Sequence, residues 1–337
     1  AQTDQDNNLE KVNGLSNLTR VNNELTLFSN LQLTDITGLS NLSSGTVKID
    51  DPTQYTIKPD FSTPFCQAIL SNELTVENNL TSKRVYVEDV CINVSEQGLW
   101  LSFFHKKNQL LKLGNINEWL NEEEEALVPN NNYSNADLPA GNIGVSSIYT
   151  LDMSSNNLTS IEFLSGLEKV RGDLKLNNNS LLSIGELVDL QYVTGKLDLS
   201  NTDTVNVSPL LELREVGTLD LSNNNNLLNL SGLENIEKAL AVYLNEPVQY
   251  ELIDFTSSFC FGVSRGEVVP IVKSTGRKIY ITEICNGVPN DAKWLNYMHT
   301  QNQLLGFTDM SDWENKDVLA DLSSKSLTVV DIPSARM

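Results

Sequence analysis

Leu151-Asp-Met-Ser-Ser-Asn156, Leu174-Lys-Leu-Asn-Asn-Asn179, Leu197-Asp-Leu-Ser-Asn-Thr202 and Leu219-Asp-Leu-Ser-Asn-Asn224 begin 23, 23 and 22 residues apart, and Val242-Tyr-Leu244 follows after another 23. In an L-x-L strand both Leu side chains point to one face and x to the other. The Asn slot, Thr at 202, marks the turn out of the strand, where a side-chain amide bonds backbone groups that would otherwise be buried unpaired. A second apolar block follows, as in Leu158-Thr-Ser-Ile161 and Leu228-Asn-Leu230, and then Gly166-Leu167 or Gly232-Leu233. No unit of this size buries its own apolar side, whereas stacked units share one continuous core. The spacing predicts an α/β repeat built on a parallel sheet.

The N-terminal part has the same grammar: Leu25-Thr-Leu27 with Asn30, Ile36-Thr-Gly-Leu39, then Val47-Lys-Ile49. On these motifs the chain resembles the leucine-rich repeat family, in its short 22–23-residue internalin-like class, across residues 9–50 and 144–246. Leu33-Thr-Asp-Ile36-Thr-Gly-Leu39-Ser-Asn-Leu42 is the most internalin-like stretch, while Val170-Arg-Gly-Asp-Leu174 and Val193-Thr-Gly-Lys-Leu197 resemble receptor L-domains. The resemblance implies a solenoid and a ligand bound on its concave sheet.

A longer period of 194 residues lies over the short one. It relates Phe65-Cys66 to Phe259-Cys260, Arg84-Val-Tyr-Val-Glu-Asp-Val-Cys91 to Lys278-Ile-Tyr-Ile-Thr-Glu-Ile-Cys285, Trp100 to Trp294, His105 to His299, and Trp119 to Trp313. In both copies a Pro, Pro52 or Pro247, stands where the Asn ladder would continue, and Pro has no N–H with which to extend it. The expected organisation is repeats over 1–50, an island module over 51–143, repeats over 144–246 and a cap module over 247–337. Asp6-Asn-Asn-Leu9 and Val12-Asn-Gly-Leu15 read as the back half of a repeat, so the array is expected to extend further towards the N-terminus.

Each module carries two cysteines 25 residues apart. Without C-x-x-C or a His at ligand spacing, zinc is not expected. The economical pairing keeps each copy self-contained, Cys66 with Cys91 and Cys260 with Cys285, and such disulfides imply an oxidising compartment, secreted or at the cell surface. An amphipathic helix is expected after each second cysteine, with Trp100, Leu101, Phe104 and Leu111 on one face, and Trp294, Leu295, Met298 and Leu305 in the other copy. An acidic helix is expected through Trp119 and Glu122-Glu-Glu-Glu125, as a lid over the core.

The net charge of −21, from 23 Lys+Arg against 44 Asp+Glu, argues against nucleic acid and anionic membranes as partners. No apolar run approaches the roughly 18–20 residues of a membrane span, so membrane insertion is not expected. Neither end carries a signal peptide or lipidation motif, so any export signal is expected to lie outside this sequence or to have been removed. Leu and Asn make up about 15% and 12% of the chain, an excess over average usage that the repeat explains.

Candidate chemistry is sparse. His105 and His299 lack a nucleophile or carboxylate partner in any motif, so no enzyme, cofactor or metal is expected and a structural role is read for both. The outward strand positions are the candidate ligand-binding face: Asp152, Lys175, Asp198, Asp220 and Tyr243 in one row, with Asp173, Lys196 and Thr218 beside them. The resemblance implies a protein or glycan ligand there, in an adhesin- or receptor-like role. The alternative is a surface-layer or matrix spacer without a specific ligand, and a third reading is an adhesive array ordered by Ca²⁺, whose ligands are oxygens. N-x-S/T sequons stand at Asn17, Asn41, Asn79, Asn93, Asn132, Asn157, Asn178, Asn206 and Asn229.

Overall fold

Leu151, Leu174, Leu197, Leu219 and Val242 are all fully buried. Each also faces the next across a parallel pair of strands. The computed structural model that shows this describes residues 8–107, 112–301 and 332–333. The molecule is mixed α/β, with parallel sheets and two disulfides. It divides into two compact units: Ala1–Ala126 with Leu138–Gly144, and Leu127–Asp137 with Val145–Met337.

In the second unit Thr150–Asp152, Leu174–Lys175, Tyr192–Asp198, Glu215–Asp220, Lys238–Leu244 and Val268–Val272 lie side by side, all parallel. The Asn slot links neighbouring turns. Asn179 Nδ2 donates to Leu176 O of its own turn at 2.9 Å and to Met153 O of the preceding one at 3.0 Å, while its Oδ1 accepts from Leu158 N at 3.1 Å. Asn224 repeats this with Leu221 O, Leu199 O and Thr202 N at 3.0, 2.8 and 3.0 Å. Asn156 does so with Met153 O, Val128 O and the amides of Asn131 and Tyr133. These side chains are buried, so each bond satisfies a backbone group that water cannot reach.

Two of the Gly-Leu steps have a steric cause. A Cβ on Gly232 would lie 1.9 Å from Val207 O, and one on Gly38 2.0 Å from Val12 O, so only glycine lets the preceding turn approach there. Gly166 instead has open space around it and is required for its φ of 79°.

The first unit pairs Arg20–Thr26, Ser44–Ile49 and Leu74–Asn78 in parallel, and Lys83–Val85 returns antiparallel against the last of these. Pro52 and Pro247 each open a short helical turn, Pro52–Gln54 and Pro247–Gln249. There the ladder is replaced by other side chains. Gln54 Nε2 donates to Leu33 O and Gln249 Nε2 to Leu227 O, while the hydroxyls of Tyr55 and Tyr250 accept from Asp50 N and Asn245 N.

Cys66 pairs with Cys91 and Cys260 with Cys285, all four buried. The first cysteine of each pair lies on a helix, Pro64–Leu70 or Ser258–Arg265. After the second come the expected helices, Glu96–Lys106 and Asn290–Thr300, the former capped by Ser95 Oγ accepting from Gly98 N at 3.1 Å. Trp100, Leu101 and Phe104 are buried as expected, with Phe104 edge-on to Trp119 at 5.3 Å. Leu295 and Met298 are buried and Trp294 is half-buried. The expectations for Leu111, Leu305 and Trp313 lie outside the described residues.

The acidic helix is shorter than expected. After a 3-10 turn at Ile116–Glu118 the α-helix covers only Trp119–Glu122, because Glu123 adopts a left-handed φ of 55° and Glu125–Leu127 is a strand with Ala126 buried. A run of glutamates favours helix in isolation, but burial of Ala126 in an extended segment overrides that propensity.

Candidate functional site

Strand register brings the predicted row together. Asp152 stands opposite Lys175, Lys175 opposite Asp198, Asp198 opposite Asp220, and Asp220 opposite Tyr243. Asp173, Lys196 and Thr218 lie beside them on the same strands or the loops leading into them.

Each aspartate spends one carboxylate oxygen on the serine two residues on. Asp152 Oδ1 accepts from the amide and hydroxyl of Ser154, Asp198 Oδ1 from those of Ser200, and Asp220 Oδ1 from those of Ser222. These tight turns fix the carboxylates as the chain leaves the strand. The other oxygens meet lysines. Lys175 lies 3.7 Å from Asp152 and 3.3 Å from Asp173, while Lys196 lies 2.6 Å from Asp198 and 3.1 Å from Asp220.

Lys273, a residue the repeat pattern does not predict, completes the network. Its Nζ lies 3.0 Å from Asp220 Oδ2 and 3.9 Å from the centroid of the Tyr243 ring.

The row therefore differs from the solvated acidic face that alternation alone predicts. Asp198 is only 6% exposed and Asp220 only 2%, and Thr150 is buried as well. Lys196, on the strand of Asp198 and beside that of Asp220, pairs with both carboxylates, and Lys273 reaches Asp220 from just beyond Val268–Val272. Burial pushes the Asp220 carboxyl up, but the Ser222 hydroxyl and the ammonium groups of Lys273 and Lys196 outweigh it and hold it below the usual carboxylate range. Burial pushes Lys196 down, and Asp198 with Asp220 reverses the sign, so its pKa is raised. The groups of this face that remain accessible for a ligand are Asp173, Lys175, Lys196, Thr218, Tyr243 and Lys273.

His105 is buried at the end of its helix. Its Nε2 is 3.0 Å from Leu113 O and its Nδ1 is 3.3 Å from Asn72 Nδ2, which assigns the proton to Nε2, with Nδ1 accepting from the amide. Asn72 in turn accepts from the Arg84 guanidinium through its amide oxygen. This set bridges the helix to the loop holding Leu113 and has no nucleophile in it.

Among the described residues no helix is long and apolar enough to cross a membrane. The chain matches no known protein-family model, no curated protein and no solved structure.

Proposed function

We propose that the chain is an extracellular leucine-rich-repeat binding protein, a solenoid whose strand face in the second unit recognises a protein or glycan. The observation that carries this reading is the rigid, in-register array of polar side chains at one spacing, ending in the stacked Tyr243 and Lys273. Bonds to their own serines hold the aspartates in place, so a ligand meets a preorganised surface and loses little entropy in ordering it. The opposite charges are interleaved, so the face suits hydroxyl-rich or mixed-charge partners better than a polyanion. Two buried disulfides support an oxidising compartment.

A spacer without a ligand is the second reading, and one observation favours it: the carboxylates of the row are already matched by serine and lysine. A calcium-ordered array fits less well, because three ammonium groups stand among those carboxylates.

The test is a glycan array together with a pull-down from surface extracts, comparing native protein with a Lys175→Glu, Tyr243→Ala double variant. These two side chains are half-exposed, so the variant should fold normally, unlike one reversing Asp198 and Asp220. Binding lost in the variant supports the site. Binding that survives removes the site from consideration, and no binding by native protein favours the spacer.

A further inference from the structure

Three large apolar side chains outside the strand face are exposed at equivalent places in successive turns: Leu182 at 66%, Val205 at 46% and Leu228 at 54%. The residue before each, Leu181, Thr204 and Leu227, is fully buried, so these turns share one backbone path. Thr204 Oγ1 donates to Leu181 O of the preceding turn, and Glu251 N donates to Leu228 O. With neighbouring strands about 4.8 Å apart, three turns make a stripe roughly 10 Å long. Left bare, such an apolar stripe costs solubility.

The next residue along the chain from Leu228 is Asn229, of the sequon Asn229-Leu-Ser231. Val205 likewise precedes Asn206, although Pro209 directly after that sequon makes it the poorer acceptor. The association recurs in the first unit, where exposed Ile92 precedes sequon Asn93 and exposed Leu80 lies inside the sequon of Asn79. Asn229 is exposed, and its Oδ1 accepts from Ser231 N at 2.6 Å. Its Nδ2 donates to the exposed carboxylate of Glu251, on the following turn, at 2.8 Å, a surface bond whose loss frees the amide to turn back towards Val205 and Leu182 on the preceding turns.

We propose that Asn229 carries an N-linked glycan whose first two sugars lie along Leu228, Val205 and Leu182. The apolar faces of the sugar rings cover the stripe, and their hydroxyls replace it at the surface. Two rings span about the length of three turns. In the transfer, Asn229 Nδ2 attacks the anomeric carbon of a polyprenyl-pyrophosphate-linked oligosaccharide. A C–N bond forms as the C–O bond to pyrophosphate breaks, and the lipid pyrophosphate and one amide proton leave. The inference rests on the secretory reading above, because that donor is met only on the export route.

Mass spectrometry of the protein isolated from its own source, with and without an amidase that removes N-glycans, reads occupancy at Asn229 and the disulfides in one sample. The expected result is intact disulfides, a glycan on Asn229, and several-fold more binding of an apolar dye after removal of the sugar or in Ser231→Ala. That rise should be abolished by adding Leu182→Ser, Val205→Thr and Leu228→Ser. Intact disulfides with a bare Asn229 overturn the glycan while leaving the extracellular reading standing. Free thiols overturn both. Occupancy without a change in dye binding overturns the covering role.

Discussion

At the scale of single residues, polar side chains do most of the distinctive work. A buried Asn in the ladder satisfies groups on two turns at once, and the two modules show what happens where it runs out. Asp50 uses both carboxylate oxygens, accepting from Ser29 N and Asn30 N at 3.0 and 3.2 Å. Its counterpart in the duplicate, Asn245, accepts from Asn223 N through Oδ1, but its Nδ2 is buried without a partner. Asn245→Asp should therefore raise stability by about 0.5–1.5 kcal/mol, the net worth of one hydrogen bond, read from denaturant midpoints. His105 supplies a pH dependence. Burial, with a smaller contribution from Arg84, lowers its pKa against the pull of the Leu113 carbonyl. The folded protein thus keeps the imidazole neutral while the unfolded chain takes up a proton, so stability is full above about pH 6.5 and declines as pH falls towards the folded value. In His105→Gln that decline should be shallower in stability curves measured between neutral and mildly acid pH. The role of the Asn slot was legible because its position recurs. The partnership of Lys273 with Asp220 was not, because 53 residues separate them and Pro270 disguises the strand between.

At the scale of elements, the parallel strands follow from two leucines per turn, and the modules follow from a duplication that repeats cause as well as composition. Leu197 is fully buried between Leu174 and Leu219, so Leu197→Ala should cost about 2–5 kcal/mol in thermal or denaturant unfolding, through lost transfer energy and the cavity left behind. Removing Cys260–Cys285 as the paired Ser variant should cost about 3 kcal/mol, since a loop of this size loses its closure constraint in the unfolded chain. The helices after Cys91 and Cys285 were legible from their apolar periodicity. The brevity of the acidic helix was not, because it depends on Ala126 being buried in an extended segment, and that is set by tertiary packing. The candidate face was legible as a set of neighbours but not as a set of charges. Alternation tells which way a side chain leaves the strand, whereas the ion pairs of Asp220 join it to Lys196 on the neighbouring strand and to Lys273, 53 residues away.

At the scale of the whole molecule, the net charge of −21 does not gather on the candidate face, where lysines are interleaved with the aspartates. A net charge of this sign and size favours solubility and disfavours polyanions. In the second unit buried Asn156, Asn179 and Asn224, with Thr202 in the slot between the last two, tie each turn to its neighbour, and the strand face depends on these bonds for its rigidity. Stacked turns are stabilised chiefly by their nearest neighbours, so damage to one rung should spread to both sides. The direct measurement is hydrogen exchange by mass spectrometry on Asn179→Ala, beside Asp189→Ala as a surface control. Asn179 is buried and bonded to two turns, whereas Asp189 is exposed. Asn179→Ala should lower protection of the amides from Met153 to Leu199 and cost about 2–3 kcal/mol through unsatisfied buried carbonyls, with Asp189→Ala close to native. Equal protection in the two variants would rule out the buried asparagines as what ties the turns together.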